Sequence, residues 1–561
     1  MKRAHQQSMP VPLRPTLGSL IGLLILVPPV LAQATDGAVV TTESGRIRGV
    51  VRHGALEFRG LPYAVPPTGA GRWALPKAAQ PWTGIRDGSA FGPACPQEAR
   101  FGISERSENE DCLTLNISAP ADRRAGEKLP VFVYIHGGAF VGGSSNLYRL
   151  DKLAREGRMV VVSPNYRVGV FGFMAHPSFA SNGFNGNYGL EDQRFALAWV
   201  KRNIARFGGD PTNVTVAGES AGAGSICMHL ATPERSKALF EKAMIISAGC
   251  FSRLKTQQEA EDNGQVLAQD VGCGLALDPL ACMRGKAVAN WLQVQGMFTG
   301  KDPTDLIAIS PVVGNRALPR LPREAAQRGS LLQVPLLMGG ARNELRLYVG
   351  YAVQAGYAVT AANYPRALRL FYTNNEPVVA RRYPPGNAPA ANFGSVLSSF
   401  NPKLAINNCS YLNAAAVFSQ HMPVHEFEFA DNKALVLGVG IAPPDPGFEL
   451  GAVHSAALNY LFPHFSNNSR IDAAELPKAS QTLATLMVKA VAAFAHTGNP
   501  NGEGLPSWPL FKRGKTVMLW DTPAAEAYDA SRYHQCDFWR QLYPKDLGDA
   551  SPTQRAPSQR P

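Results

Sequence analysis

Val214-Thr-Val-Ala-Gly-Glu-Ser-Ala-Gly222 decides the reading of this 561-residue chain. The run Val214 to Ala217 has the β-branched, apolar character of a strand, and the small residues after Gly222 open a helical pattern. Between them lies a Gly-x-Ser-x-Gly turn centred on Ser220. Reversal from strand to helix over so few residues brings the chain so close to itself that side chains flanking the serine would collide, which is why glycine stands on both sides. A chain with 53 glycines can produce the five-residue pattern by accident. The strand before it and the helix after it give the pattern meaning. A serine hydroxyl is a weak nucleophile unaided, so the reading calls for a base, a group that orients the base, and donors for an oxyanion.

Outward from the elbow, Leu129 to Tyr134 and Met159 to Ser163 are further apolar runs with helical patterns between them. Strands alternating with helices predict an α/β fold, with a large, mostly parallel central sheet flanked by helices. Asn187 to Ala205 is expected as a core helix, because Leu190, Phe195, Leu197, Ala198, Val200 and Ile204 fall near one face at helical spacing. The run Leu129 to Tyr134 leads into His136-Gly-Gly-Ala-Phe140. Glycine there lets the backbone approach a substrate, so the N–H groups of Gly137 and Gly138, with that of Ala221, are the candidate oxyanion donors. Phe140 is expected to line the acyl side.

Phe207-Gly-Gly-Asp-Pro-Thr-Asn-Val-Thr-Val-Ala-Gly-Glu-Ser-Ala-Gly222 resembles the nucleophile signature of the type-B carboxylesterase family, which includes cholinesterases and bacterial p-nitrobenzyl esterases. Glu110-Asp-Cys-Leu-Thr-Leu-Asn-Ile117 resembles the family's second signature. Phe58-Arg-Gly-Leu-Pro-Tyr-Ala-Val-Pro-Pro67 and Cys536-Asp-Phe-Trp539 carry the likeness across nearly the whole chain after its leader. The resemblance implies the α/β-hydrolase fold with long insertions and an esterase activity. In that fold the chain order is nucleophile, acid, histidine, which leaves His421, His425, His454, His464, His496 and His534 of the 11 histidines. Gly451-Ala-Val-His-Ser-Ala-Ala-Leu458 resembles the family's histidine loop and points to His454. Glu344, in the loop after the strand-like run Val334 to Met338, corresponds to the family's acid, with Asp445 as second choice. Two positions depart from the family pattern: Leu345 where glycine commonly follows the acid, and Ala457 where an acid usually stands three residues after the histidine. Glu219 and Ser247 also match family positions and are read as support.

The first 34 residues read as a secretory signal peptide, with Lys2, Arg3 and Arg14 on a polar leader, an apolar stretch from Leu17 to Leu31, and cleavage expected after Ala32 or Ala34. That stretch is too short to suggest a membrane span, and no later one is both long and uncharged. The expected plan is a single domain over 35–549 and a disordered tail over 550–561, secreted or periplasmic, of undetermined oligomeric state. The formal charge of +12 becomes about +9 without the leader. Its basic residues are scattered rather than striped, which argues against nucleic acid as a partner. Eight cysteines in an exported chain, without Cys-x-x-Cys or a His/Cys cluster, read as a disulfide set and not a metal site. Spacing alone leaves 105 connectivities open. The family resemblance favours Cys95–Cys112, Cys273–Cys282 and Cys409–Cys536, and leaves Cys227 and Cys250 either as a fourth bridge or as two thiols.

The chemistry implied is acyl transfer from a small-molecule ester through Ser220, His454 and Glu344, with no metal or cofactor. An amidase, thioesterase or lactonase would use the same residues, and a non-catalytic cholinesterase-like binding protein would lack part of the set. The pocket is expected from the segments around Phe251 to Pro319 and Tyr348 to Asn408. Arg342 and Arg346 are candidates for a substrate carboxylate or for exposed side chains.

Overall fold

Strands that read as unbroken apolar runs have to be covered on both faces. Every residue of Leu129–Ile135, Val160–Pro164, Lys242–Ile246 and Leu336–Ala341 is buried. The computed structural model describes residues 35–99, 106–297, 308–433, 446–465, 475–512 and 516–548, so the leader, the tail and Asp445 lie outside the described residues. The strands in chain order are β1 (Thr35–Thr41), β2 (Arg46–Arg52), β3 (Ala55–Pro62), β4 (Ile85–Asp87), β5 (Thr114–Pro120), β6 (Leu129–Ile135), β7 (Val160–Pro164) and β8 (Gly209–Glu219). They continue with β9 (Lys242–Ile246), β10 (Lys255–Thr256), β11 (Val312–Val313), β12 (Leu336–Ala341), β13 (Val424–Phe429), β14 (Val517–Trp520) and β15 (Glu526–Tyr528).

One 13-stranded sheet runs β1-β2-β3-β5-β7-β6-β8-β9-β12-β13-β14-β15, with β4 paired to β2, while β10 and β11 pair separately. From β7 to β14 every neighbouring pair is parallel. The pairs β2–β3, β3–β5, β5–β7 and β14–β15 toward the edges are antiparallel. β6 has β7 on one side and β8 on the other. The chain thus reverses its progress across the sheet there, and open parallel sheets leave a crevice at the carboxyl ends of strands at such a switch. Ile135 pairs with Gly218, Gly218 with Ile245, and Ile245 with Met338. The loops leaving β6, β8, β9 and β12 therefore emerge at one level.

β8 begins at Gly209, five residues before the apolar run, because its polar start is drawn into pairing with Leu129 across a register shift. β12 extends to Ala341 because Gly339 and Gly340 pair with Phe427 and Glu428, although two glycines read locally as a loop. The expected core helix spans Tyr188–Asn203, and its burial extends well beyond one apolar stripe. The charged residues of its first two turns face protein: Asp192 accepts from Arg167 Nε and Nη2 at 2.7 Å each, and Glu191 holds Arg194 at 2.5 Å as well as Arg235. The later segment that supplies the Ala317 carbonyl to Arg194 covers the side that would otherwise meet water.

Bridges join Cys95–Cys112, Cys227–Cys250, Cys273–Cys282 and Cys409–Cys536. The Cys227–Cys250 bridge resolves the pair the sequence leaves open and ties the helix Ala221–Leu230 to the segment after β9. Among the described residues no helix is long and apolar enough to cross a membrane.

Candidate active site

Ser220 sits where β8 gives way to the helix Ala221–Leu230, with φ 55° and ψ −123°. Such a backbone is costly for a residue with a side chain and persists only where its surroundings hold it. A Cβ on Gly218 would come 2.7 Å from the Gly222 carbonyl carbon, and one on Gly222 would come 2.7 Å from the His136 carbonyl oxygen. Both elbow glycines are thus required by close approach. The Ser220 N–H donates to Ile246 O at 2.9 Å, which pins the turn to the end of β9.

The glycine loop after β6 packs directly on this turn. A Cβ on Gly137 would lie 2.8 Å from Glu219 O and 3.1 Å from Ser220 Cβ, so only glycine lets the two backbones meet. Among the described residues the N–H groups of Gly137, Gly138 and Ala221 have no protein acceptor. Free amides beside a serine are what an oxyanion needs. His136 is buried and its pKa is pushed down to about 4 by that burial. It is therefore a neutral part of the scaffold, with Nδ1 2.9 Å from Gly137 O and its ring stacked on Tyr166. Phe140 packs edge-on against Phe173 and lies 3.6 Å from the position of a Cβ on Gly224, within the helix that follows the serine.

Glu344 and His454 meet in the core. Glu344 Oε2 lies 2.6 Å from His454 Nδ1, and Glu344 Oε1 accepts from the Ala341 N–H at 2.8 Å and from Tyr411 Oη at 3.1 Å. Both carboxylate oxygens are thus occupied and the imidazole orientation is fixed. The other ring nitrogen, Nε2, points to the serine turn, where it lies 3.2 Å from Oε1 of Glu219. Among the described residues no hydrogen bond joins Ser220 Oγ to His454. Glu219 Oε1 also accepts from Ser455 Oγ at 2.7 Å.

Burial alone would lower the His454 pKa, but Glu219 and Glu344 on either side of the ring outweigh it and hold the value up at about 9. Burial pushes Glu219 upward as well, with His454 and the Ser455 hydroxyl pulling against it. Glu344, on the other side of the ring, adds to the pull that keeps the His454 pKa raised.

The remaining expectations divide. Ser247 lies just beyond β9 with φ 55°, and its N–H donates to Gly339 O at 2.7 Å, a supporting role. Glu219 does more than support the elbow, since it contacts the histidine directly. Leu345 and Ala457, the two departures from the family pattern, are buried in the apolar core, and the Leu345 N–H is taken by Ser398 Oγ at 2.9 Å. Arg342 is committed to Glu428 at 2.5 Å, and Arg346 to Ser395 and to the Glu449 carbonyl, so neither is a bare surface cation. His421 and His425 lie far from Glu344 in role: His425 sits at the start of β13, pairing with Leu337 at the opposite end of the sheet from the elbow. Tyr411, Ser455 and Tyr348, whose ring is 5.8 Å from that of His454, escape sequence reasoning because no local pattern marks them.

A mostly parallel sheet that lifts a serine over its carboxyl edge on a strained strand-to-helix turn is the α/β-hydrolase architecture. The chain belongs to the carboxylesterase family, whose model matches residues 36–539, and it is a carboxylic ester hydrolase. It is similar to the para-nitrobenzyl esterase of Bacillus subtilis (strain 168), 32% identical over 483 residues that cover 84% of this chain and 92% of that one. It is also similar to the cocaine esterase of Homo sapiens, 30% identical over 570 residues, 94% of this chain and 95% of that one. A solved structure described as a thermophylic PNB esterase superposes with a TM-score of 0.72 at 30% identity, covering 89% of this chain and 99% of the other.

Proposed function

We propose that the protein is an exported serine carboxylesterase with a single catalytic domain, in which Ser220 is the nucleophile, His454 the general base and acid, and Glu344 the group that orients it. The observation that carries this reading is the buried 2.6 Å contact between His454 Nδ1 and Glu344, which fixes the tautomer and turns Nε2 toward the elbow. In the substrate complex neutral His454 engages Ser220 Oγ in place of Glu219; catalytic hydrogen bonds of this kind often tighten only when substrate is bound. Oγ then attacks the ester carbonyl while Nε2 takes its proton. The negative oxygen is held by the N–H groups of Gly137, Gly138 and Ala221. Collapse breaks the bond to the alcohol oxygen, which receives the proton from His454. Water repeats the sequence on the acyl-enzyme and releases the carboxylic acid. No step calls for a metal or a cofactor.

Export is supported by the apolar leader and by the pairing of every described cysteine, which fits an oxidising compartment. Ser220→Ala is the test: turnover of a p-nitrophenyl ester should vanish while the circular dichroism spectrum is kept. Undiminished turnover by the pure variant would contradict the assignment.

A further inference from the structure

The segment between Leu345 and His425 contains Arg346, Arg366, Arg369, Arg381, Arg382 and Lys403, and a single carboxylate, Glu376. Two helices, Tyr364–Tyr372 and Glu376–Arg382, carry most of that charge. Their inner faces are anchored in one aromatic cluster. Tyr372 and Tyr383 both stack on Trp539, at 5.3 and 5.4 Å, and Tyr364 meets Phe393 edge-on.

The outer faces repeat at helical spacing. Pro365, Arg366, Arg369 and Leu370 are exposed on the first helix, and Pro377, Val378, Arg381 and Arg382 on the second. Leu370 is 56% and Val378 36% exposed, and Tyr357 just before the pair is 73% exposed. Glu376 is turned inward, where it accepts from Arg369 at 2.9 Å. Every exposed charged side chain from 354 to 388 is therefore an arginine. A solvated surface ordinarily mixes both signs, and a single exposed leucine or valine on it is ordinary. Here the exposed charged side chains that share the two helices with Leu370 and Val378 are arginines alone.

We propose that these two helices form a docking face for an anionic lipid surface. Apolar side chains among arginines, with no exposed acid on either helix, match an interface that presents phosphates above hydrocarbon. Guanidinium groups suit phosphate oxygens, and their stems lie along apolar surface. A nucleic acid would use the arginines but leave Leu370 and Val378 without a partner.

The test is sedimentation of the whole protein with vesicles of phosphatidylcholine alone and of phosphatidylcholine mixed with phosphatidylglycerol. Wild type should sediment with the anionic vesicles only. Arg366→Glu with Arg381→Glu should weaken binding by at least about tenfold, since each basic residue near such a surface is worth roughly fivefold. The milder pair Arg366→Gln with Arg381→Gln should weaken it less, and Leu370→Ser should weaken it at unchanged charge. Leu275→Ser with Leu277→Ser, two fully exposed side chains on the loop closed by Cys273–Cys282, should bind as wild type does. All variants should keep the wild-type circular dichroism spectrum and melting temperature, which shows that they are folded. The proposal is overturned if wild type ignores anionic vesicles, if the arginine variants bind unchanged, if loss follows Leu275 and Leu277 instead, or if single-stranded DNA competes the protein off and Leu370→Ser has no effect.

Discussion

Replacing Glu219 by Gln should move the pH dependence of catalysis in a direction fixed by the site. On the proposed mechanism His454 must be neutral to accept a proton from Ser220, yet the carboxylates of Glu219 and Glu344 hold its pKa up at about 9 against burial. Glu219 Oε1 lies 3.2 Å from Nε2. Two unit charges at that distance attract by about 5 kcal/mol at an effective dielectric near 20, the equivalent of about 4 pK units. Burial pushes Glu219 itself toward neutrality, and glutamine keeps a dipole, so roughly 1 to 2 units of that should be realised. The assay is kcat/KM for a p-nitrophenyl ester from pH 5 to about pH 10 on both proteins. The acid limb reports the free enzyme's base and should move to lower pH in Glu219→Gln. The plateau above it should fall, because the imidazolium formed during attack loses a counter-charge. An acid limb that stays in place or moves upward would refute the pairing of Glu219 with His454 as the base.

Glu344→Gln leaves the loop's shape but removes the charge and the tautomer control at Nδ1, and should cut kcat by roughly 10³ to 10⁴ with little change in KM, read by steady-state kinetics. Gly137→Ala drives a methyl group to 2.8 Å from the Glu219 carbonyl oxygen. It should lower kcat by at least about 10² by displacing an oxyanion donor, with the melting temperature checked in parallel. The Cys409–Cys536 bridge spans 127 residues and Cys273–Cys282 only 9. On the loop-entropy model, the paired Cys→Ser change at the first should destabilise by about 2 kcal/mol more than at the second in denaturant unfolding.

Much of the candidate site is legible in the sequence because its parts need local backbone shapes that few residues tolerate. The elbow serine requires glycine two residues to either side, and the oxyanion loop requires Gly137 where it meets Ser220. Both requirements are written within five residues of chain. The acid and the histidine are different. Neither Glu344 nor His454 carries a local signature of its own, and chain order leaves six histidines in play until family resemblance selects one. Tyr411, Ser455 and Tyr348 carry no sequence signal, since each reaches the site through tertiary packing. Glu219 was visible as a neighbour of the serine, but its contact with Nε2 depends on how the histidine loop folds back over the elbow. In the fold, apolar runs locate the central strands, whereas the polar start of β8 and the glycine end of β12 are strands only because a neighbour pairs with them. The helix Tyr188–Asn203 shows the same limit, since its charged side is covered by Arg167, Arg235 and the segment of Ala317, none of them local to the helix.

Covalent labelling interrogates the nucleophilicity of Ser220 itself. After exposure to a fluorophosphonate, intact mass spectrometry should show one adduct per chain, and peptide mapping should place it on the peptide containing Ser220. Ser220→Ala should take up none, and prior addition of a slowly hydrolysed ester should protect the wild type. An adduct on another residue, or a wild-type enzyme that hydrolyses esters while remaining unlabelled, would contradict the account.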